Sequence, residues 1–197
     1  EVMETVERFA KSLGLVAAIV RGDSKGFIIN RVWRAVKRES LRVVDEGHAD
    51  PADVDRLWML FFGTPYGPFG IMDMVGLDIA NKVGAELGSD APQDNPLSRL
   101  VSAGKLGKKT GEGFYVWENG KPKREDTVYD DAELDRLGRE LIKPMLDECE
   151  RALADGIVAN ADHVDAGVIF GTGFAPFRGG PLHYRRSQEV GAPAQAA

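Results

Sequence analysis

Apolar residues recur at helical spacing along most of the chain, and glycines and prolines separate the segments that they mark. The spacing predicts helices at about 1–13, 27–45, 51–62, 71–87, 97–103 and 134–153. Residues 57–62 are apolar on nearly all sides, which predicts deep burial or a place in a subunit interface. Helices therefore dominate, and we expect a mainly α fold.

Residues 15–20 form a short apolar run bounded by glycines, a pattern typical of a buried strand. A helix followed by a strand is the expected ending of an α/β domain. We therefore interpret residues 1–24 as the tail end of such a domain. The chain begins on Glu1 rather than on methionine, so we expect a fragment of a longer protein, although processing would give the same start.

The second half of the sequence echoes the first. The turn sequence FGTPYGPF at 62–69 returns as FGTGFAPF at 170–177, and Glu46-Gly47 returns as Asp155-Gly156 one register later. His163 would fill the one-residue slip between the two blocks. A supersecondary unit used twice predicts two packed domains. We place the first at 25–118, a linker at 119–131, the second at 132–187 and a disordered tail at 188–197.

Composition narrows the class of protein. The net charge of −6 argues against nucleic acid as a partner. The single cysteine, Cys149, excludes a disulfide framework, fits a reducing compartment such as the cytoplasm, and is expected in the core. No apolar run approaches the ~20 residues that a membrane span needs.

Motifs for the common chemistries are missing from the sequence. His48, His163 and His183 lie far apart, which predicts no metal site. No G-x-G-x-x-G follows a strand, so we expect no cofactor-binding residues and no dinucleotide bound by this chain alone.

One segment, GFIINR at 26–31, indicates a site. Gly26 permits a sharp entry into a helix, for which Asp23 or Ser24 is a candidate cap, and Asn30 presents an amide with both a donor and an acceptor. The alternative is that the Asn30 amide caps the helix or bonds to the local backbone.

Together with two further segments, GFIINR resembles the 3-hydroxyacyl-CoA dehydrogenase family. The segment GKLGKKTGEGFY at 104–115 is similar to a family motif, and GTGFAPFRGGP at 171–181 resembles the second helical repeat of the multifunctional fatty-acid oxidation proteins. The resemblance implies two repeated helical domains of the 6-phosphogluconate dehydrogenase C-terminal type, preceded by the helix-strand remnant of an α/β nucleotide-binding domain.

By that resemblance the parent enzyme oxidises an L-3-hydroxyacyl-CoA to the 3-ketoacyl-CoA with NAD. NAD and a catalytic histidine–glutamate pair would belong to the missing N-terminal domain. Asn30 matches the family's active-site asparagine, which implies a supporting catalytic and substrate-binding role. Arg31, Lys105, Lys108 and Lys109 are further candidates for binding acyl-CoA, although surface charge for Arg31 and a solvated loop for the lysines are open alternatives, and we favour the latter for the lysines.

The resemblance also implies partners. These are the acyl-CoA substrate, the chain's own NAD-binding domain, a crotonase domain in multifunctional members, and a second copy in a homo-oligomer. The fragment alone would be inactive. The alternative function is a stand-alone helical assembly module without catalysis.

Overall fold

The computed structural model describes residues 1–15, 17–86, 92–123 and 131–191. Helices dominate these ranges, and the mainly α fold is confirmed. In chain order the helices are α1 (Val2–Ser12), α2 (Ile29–Asp45), α3 (Pro51–Phe62), α4 (Pro68–Val75), α5 (Leu77–Glu86), α6 (Pro96–Ser102), α7 (Asp131–Ala154), α8 (Ala161–Thr172) and α9 (Pro181–Gly191).

Helix α1 ends at Ser12, and Gly14, two residues later, has a φ of +74°, which suits glycine. Its apolar stripe is open in the part of the chain that the structure describes, where Val2, Phe9 and Leu13 are all more than half exposed. The predicted strand at 15–20 was wrong for the described residues: 15 and 17–20 adopt no strand, and residue 16 lies outside the described residues. A strand needs a neighbouring strand for its backbone hydrogen bonds, and none lies beside this segment in the described chain.

Among the described helices, α2 and α7 pack against each other most extensively. The two helices run antiparallel, since Arg31 at the start of α2 pairs with Glu148 and Asp155 near the end of α7. Helix α2 begins two residues later than predicted, and its N-cap residue is Ile28, so neither Asp23 nor Ser24 caps it.

The helix predicted at 71–87 is two helices, and this prediction was wrong at Gly76. Helix α4 ends there and α5 begins at Leu77, because Gly76 has a φ of +105° that breaks the helical path. The apolar spacing continues across the break and concealed it.

The segment after α6 folds into a single 3-10 turn at Lys108–Thr110 and a hairpin of β1 (Trp117–Glu118) and β2 (Lys121–Pro122). The hairpin occupies the start of the predicted linker, of which residues 124–130 lie outside the described residues. The predicted tail at 188–197 was wrong at its start, because α9 continues to Gly191. Gln188 accepts a hydrogen bond of 2.6 Å from Arg139 on α7, which fastens this end. Residues 192–197 lie outside the description.

The internal repeat is present, but in another register. Helix α3 ends at Gly63 and α8 at Gly173, both with left-handed backbone. Equivalent residues in these helices therefore lie 110 positions apart. Phe62, the last residue of α3, matches Phe170 in sequence, but α8 continues for two further residues, to Thr172. The extra residue lies in the loop before α8, between Gly156 and Asn160, so the slip assigned to His163 was wrong.

A continuous buried cluster contains residues from both repeats. Phe62 at the end of α3 stacks on Phe174, with ring centroids 6.0 Å apart, and meets Tyr184 edge-on. In the segment predicted to be buried, Leu57, Trp58 and Phe62 are buried and Leu60 is exposed. Cys149 is fully buried as predicted. Among the described helices none is long and apolar enough to cross a membrane. The proposed domain boundaries stay a prediction.

Candidate functional site

A groove of about 430 Å³ lies between the start of α2, the segment before it and one face of α8. The start of α2 is contributed by the first repeat and α8 by the second, so both repeats form walls. The residues that line it are Ala17, Ala18, Val20, Gly26, Phe27, Ile28, Ile29, Asn30, His163, Ala166, Gly167, Phe170 and Gly171.

Asn30 is placed in this groove by the turn that precedes α2. Its backbone N–H donates to the carbonyl of Gly26 at 3.1 Å. Gly26 has a φ of +86°, and a Cβ there would lie 2.8 Å from the Asn30 Cβ, so a larger residue would push Asn30 away. This explains why glycine stands four residues before the asparagine.

The Asn30 side chain is exposed, and within the described ranges its amide makes no hydrogen bond to another residue. It does not cap α2, because the N-cap position belongs to Ile28 and no side chain caps it. The amide is thus available to a ligand in the groove, with both its donor and its acceptor.

The wall from α8 is built of small residues and one aromatic. Gly171 lies so close to α2 that a Cβ would come within 2.3 Å of Ile29 Cδ1. Gly167 is less crowded, since a Cβ there would meet Ile28 at an ordinary contact of 3.6 Å. Phe170 stands at the rim and is 69% exposed.

His163 also lines the groove, at the N-terminal end of α8. Its Nδ1 lies 2.7 Å from Oδ1 of Asn160, the N-cap residue of the helix. No carboxylate pairs with it among the described residues.

Arg31 points away from the groove. Its guanidinium donates to Glu148 at 2.6 Å, to Asp155 at 2.9 Å and to Ser24 at 3.2 Å. Burial opposes the charged form of Arg31, but these hydrogen bonds and the two carboxylates outweigh it and raise its pKa. The contacts favour a role in joining α2 to α7 over substrate binding.

The three lysines of the glycine-rich motif do not line the groove. Lys105 pairs with Glu112 at 2.6 Å, and Lys109 pairs with Asp78 at 2.5 Å, which lowers the pKa of the Asp78 carboxyl. Lys108 lies over the ring of Trp117, 5.4 Å from its centroid. These contacts agree with the solvated-loop alternative.

The glycine-rich motif itself folds around a buried carboxylate, Asp73 on α4. Asp73 accepts hydrogen bonds from the backbone of Phe114 and Tyr115 and from the indole of Trp117, at 2.8 to 3.0 Å. Burial raises the pKa of Asp73, although these three donors act to lower it. A Cβ at Gly107 or Gly113 would lie within 2.4 Å of Asp73, so both glycines are required by close packing.

Within the described residues no group of three or more His, Cys, Asp or Glu side chains lies close enough together to hold a metal ion. Among the described residues that line the groove, Asn30 and His163 can form hydrogen bonds and the others offer apolar contact.

Residues 26–117 match the family model described as the C-terminal domain of 3-hydroxyacyl-CoA dehydrogenase. This range contains both the segment that places Asn30 and the motif that folds around Asp73. Over this range the chain matches that domain, and its resemblance to the helical C-terminal domains of the 3-hydroxyacyl-CoA dehydrogenases is confirmed.

The curated relatives extend the similarity to the second repeat. The fatty acid oxidation complex subunit alpha of Vibrio vulnificus is 34% identical over 93% of this chain, and that of Shewanella halifaxensis is 33% identical. The chain spans 27% and 28% of their lengths.

Solved structures share the fold. A 3-hydroxybutyryl-CoA dehydrogenase from Escherichia coli matches 95% of this chain and 58% of its own, with a TM-score of 0.76 at 18% identity. An (S)-3-hydroxybutyryl-CoA dehydrogenase from Ralstonia eutropha is 33% identical over 59% of this chain and 42% of its own, with a TM-score of 0.51.

Sequence reasoning missed the contribution of the second repeat to the groove. From the sequence, His163 marks only a slip between the two repeated blocks, and Phe170 is only part of a repeated turn. The signal that could have found them is the alternation along α8 of buried residues, such as Val164 and Val168, with small residues on the other face.

Proposed function

We propose that the chain is the substrate side of an NAD-dependent L-3-hydroxyacyl-CoA dehydrogenase of fatty-acid β-oxidation, and that it is inactive alone. The parent enzyme would convert a 3-hydroxyacyl-CoA and NAD to the 3-ketoacyl-CoA and NADH. The observation that supports this best is the Asn30 amide, which is exposed in an apolar groove and bonded to no described residue.

Asn30 would hold the substrate by its 3-oxygen. An amide N–H can donate to the hydroxyl oxygen of the substrate and equally to the ketone oxygen of the product, so it keeps C3 in one place while the bond order changes. A donor held at this oxygen in the complete enzyme would lower the barrier by hydrogen bonding in the transition state.

The residues present do not fit a dinucleotide. The sequence has no G-x-G-x-x-G loop, the element that holds a pyrophosphate at a helix N-terminus. We propose that NAD and a histidine–glutamate pair are held by an N-terminal nucleotide-binding domain of the parent protein. The relatives are more than three times as long as this chain, which supports the presence of further domains in the parent protein. We propose that a crotonase domain is one of them.

Of the five residues predicted to contact substrate, we retain Asn30 as the contact with the reacting group. Arg31 binds the carboxylates of Glu148 on α7 and of Asp155, the residue after α7. Lys105 and Lys109 each bind one carboxylate of their own loop or of a neighbouring helix. Any help from Lys105, Lys108 and Lys109 would be a long-range attraction of CoA phosphates. We also propose a homo-oligomer in the cytoplasm for the parent enzyme.

The test uses the full-length gene product. Asn30→Ala should lower kcat by about 10²-fold, the effect of removing one oxyanion donor, and should change the free energy of unfolding little. Asn81→Ala on α5, outside the groove, is the matched control and should keep full activity. Equal activity of Asn30→Ala and the control would contradict the proposed role.

A second experiment addresses the isolated chain. Calorimetry with NAD should show no binding, and micromolar affinity would contradict the assignment of NAD to another domain.

The alternative, an assembly module without catalysis, is favoured by the exposed apolar stripe of α1, which indicates a covering surface. A full-length product that forms a complex and turns over no hydroxyacyl-CoA would support it over the dehydrogenase.

A further inference from the structure

We infer that the groove at Asn30 holds the acyl chain of the substrate, and that Gly167 and Phe170 of the second repeat set the chain length that the enzyme accepts. This inference rests on the proposed function and adds a specificity site to it. The second repeat is then part of the substrate site and has more than a structural role.

The lining of the groove matches a hydrocarbon. It contains no Asp, Glu, Lys or Arg, and its polar side chains are those of Asn30 and His163. A charged or strongly polar ligand would lose its hydration there without gaining an ionic partner, whereas each methylene removed from water stabilises the complex. The occupant is therefore an aliphatic chain whose polar end lies at Asn30.

Gly167 is the position on α8 where this space can be changed. At Gly171 a Cβ would collide with Ile29, so that glycine is fixed by helix packing. At Gly167 the Cβ of a larger residue would make only ordinary contacts with Ile28, and the rest of its side chain would extend into the groove. A glycine inside a helix also weakens that helix, which its use as groove space explains.

Phe170 provides the apolar cover at the rim. Its counterpart in the first repeat, 110 positions earlier, is Leu60, which is 67% exposed on α3 and does not line the groove. Leu60 is thus an exposed apolar residue at the equivalent position that does not line the groove. A substitution at Leu60 therefore controls for the effect of removing any exposed apolar side chain.

The first experiment compares full-length enzyme with Gly167→Leu on L-3-hydroxyacyl-CoAs of four, ten and sixteen carbons. The ratio of kcat/KM for sixteen carbons to kcat/KM for four carbons should fall at least tenfold, because the leucine occupies space that only the long chain needs. Ala154→Leu, at an exposed helical position of α7, should leave this ratio at the wild-type value.

The second experiment removes the apolar side chain at the rim instead of filling the groove. Phe170→Ala should lower the same ratio three- to tenfold, mainly through a higher KM for the sixteen-carbon substrate, while Leu60→Ala should not change it. Because Phe170 is exposed, this variant folds even if Gly167→Leu is poorly tolerated.

The outcomes separate the two proposals. A wild-type enzyme that turns over no hydroxyacyl-CoA of any length overturns the proposed function and this inference with it. An active enzyme that loses activity in Asn30→Ala, but whose chain-length ratio stays within twofold of wild type in both Gly167→Leu and Phe170→Ala, overturns the inference alone.

Discussion

Asp55 and Asp165 occupy equivalent positions in the two repeats, and each fastens the start of the helix that follows. Asp55 accepts hydrogen bonds from the backbone of Phe69 and Gly70 at the start of α4, at 2.7 and 2.8 Å. Asp165 accepts from Leu182 and His183 at the start of α9, at 2.7 and 3.1 Å. A Gly-Pro precedes the two backbone donors in each case. Its glycine lets the helix start lie against the aspartate, since a Cβ at Gly67 or Gly180 would lie 2.3 Å from Asp55 or Asp165.

We therefore expect Asp55→Asn to destabilise the chain by about 2–4 kcal/mol, because the new amide turns a donor toward backbone donors that are buried. Asp165→Asn should cost less, about 1–3 kcal/mol, because Asp55 also accepts a hydrogen bond from Tyr115. Urea unfolding measures both. Asp162→Asn, at an exposed position of α8, is the control. A similar loss of stability there would contradict a particular role for the hydrogen bonds of Asp55 and Asp165.

The buried carboxylate of Asp73 leads to a second prediction. Asp73→Asn should lower the free energy of unfolding by about 1–3 kcal/mol and speed hydrogen exchange at the amides of Phe114 and Tyr115, which lose a charged acceptor. Glu112→Gln, which removes only the exposed pair with Lys105, should cost at most about 1 kcal/mol. Unaltered exchange in Asp73→Asn would mean that the motif folds without this anchor.

Arg31 permits a test of structural against substrate-binding roles. Arg31→Met should destabilise the full-length enzyme by about 1–3 kcal/mol, less than a fully broken buried pair because Arg151 still binds Glu148 at 2.8 Å. The double variant with Glu148→Met should recover part of the loss, which reveals the coupling. KM for the acyl-CoA should stay at the wild-type value. A KM raised tenfold in Arg31→Lys would restore Arg31 as a substrate ligand.

The buried side chain of Lys37 makes the free energy of unfolding depend on pH. Its ammonium is buried and donates to the carbonyl of Ala80, and burial, followed by the charge of Arg34, lowers its pKa from 10.5. The charged form is therefore disfavoured more in the folded than in the unfolded chain, so this lysine makes stability rise as pH increases from the lowered pKa to 10.5.

Lys37→Met should accordingly add about 1 kcal/mol at pH 7 and remove that rise, as followed by urea unfolding from pH 7 to 10.5. Lys82→Met, at an exposed position of α5, should do neither. A destabilised Lys37→Met at pH 7 would show that its hydrogen bond to Ala80 outweighs the cost of burial.

The sequence predicted what local spacing determines. Helices α1, α2, α3, α6 and α7 lie close to their predicted places because apolar periodicity and prolines at first turns act over short range. The break at Gly76 was concealed because the apolar spacing of α4 continues into α5. The strand at 15–20 failed because a strand depends on partners elsewhere in a structure.

The site was predictable only in part, for a similar reason. Asn30 could be found because the residues that place it, Gly26 above all, are its neighbours in sequence. The wall from α8 lies more than 130 residues further along the chain, and nothing in the local pattern of Gly167 or Phe170 links them to Asn30. The Asp73 anchor was hidden likewise, since its partners lie about 40 residues away.

One face of helix α8 packs against the rest of the protein, and another face lines the groove. Val164, Asp165 and Val168 are buried against the protein, while Gly167 and Phe170 face open space. The hydrogen bonds of Asp165 to the start of α9 do not involve the residues of the open face. For the dehydrogenase that we propose, side chains on the open face of α8 can therefore alter the groove while the residues that hold the helix, and Asn30 opposite, stay unchanged.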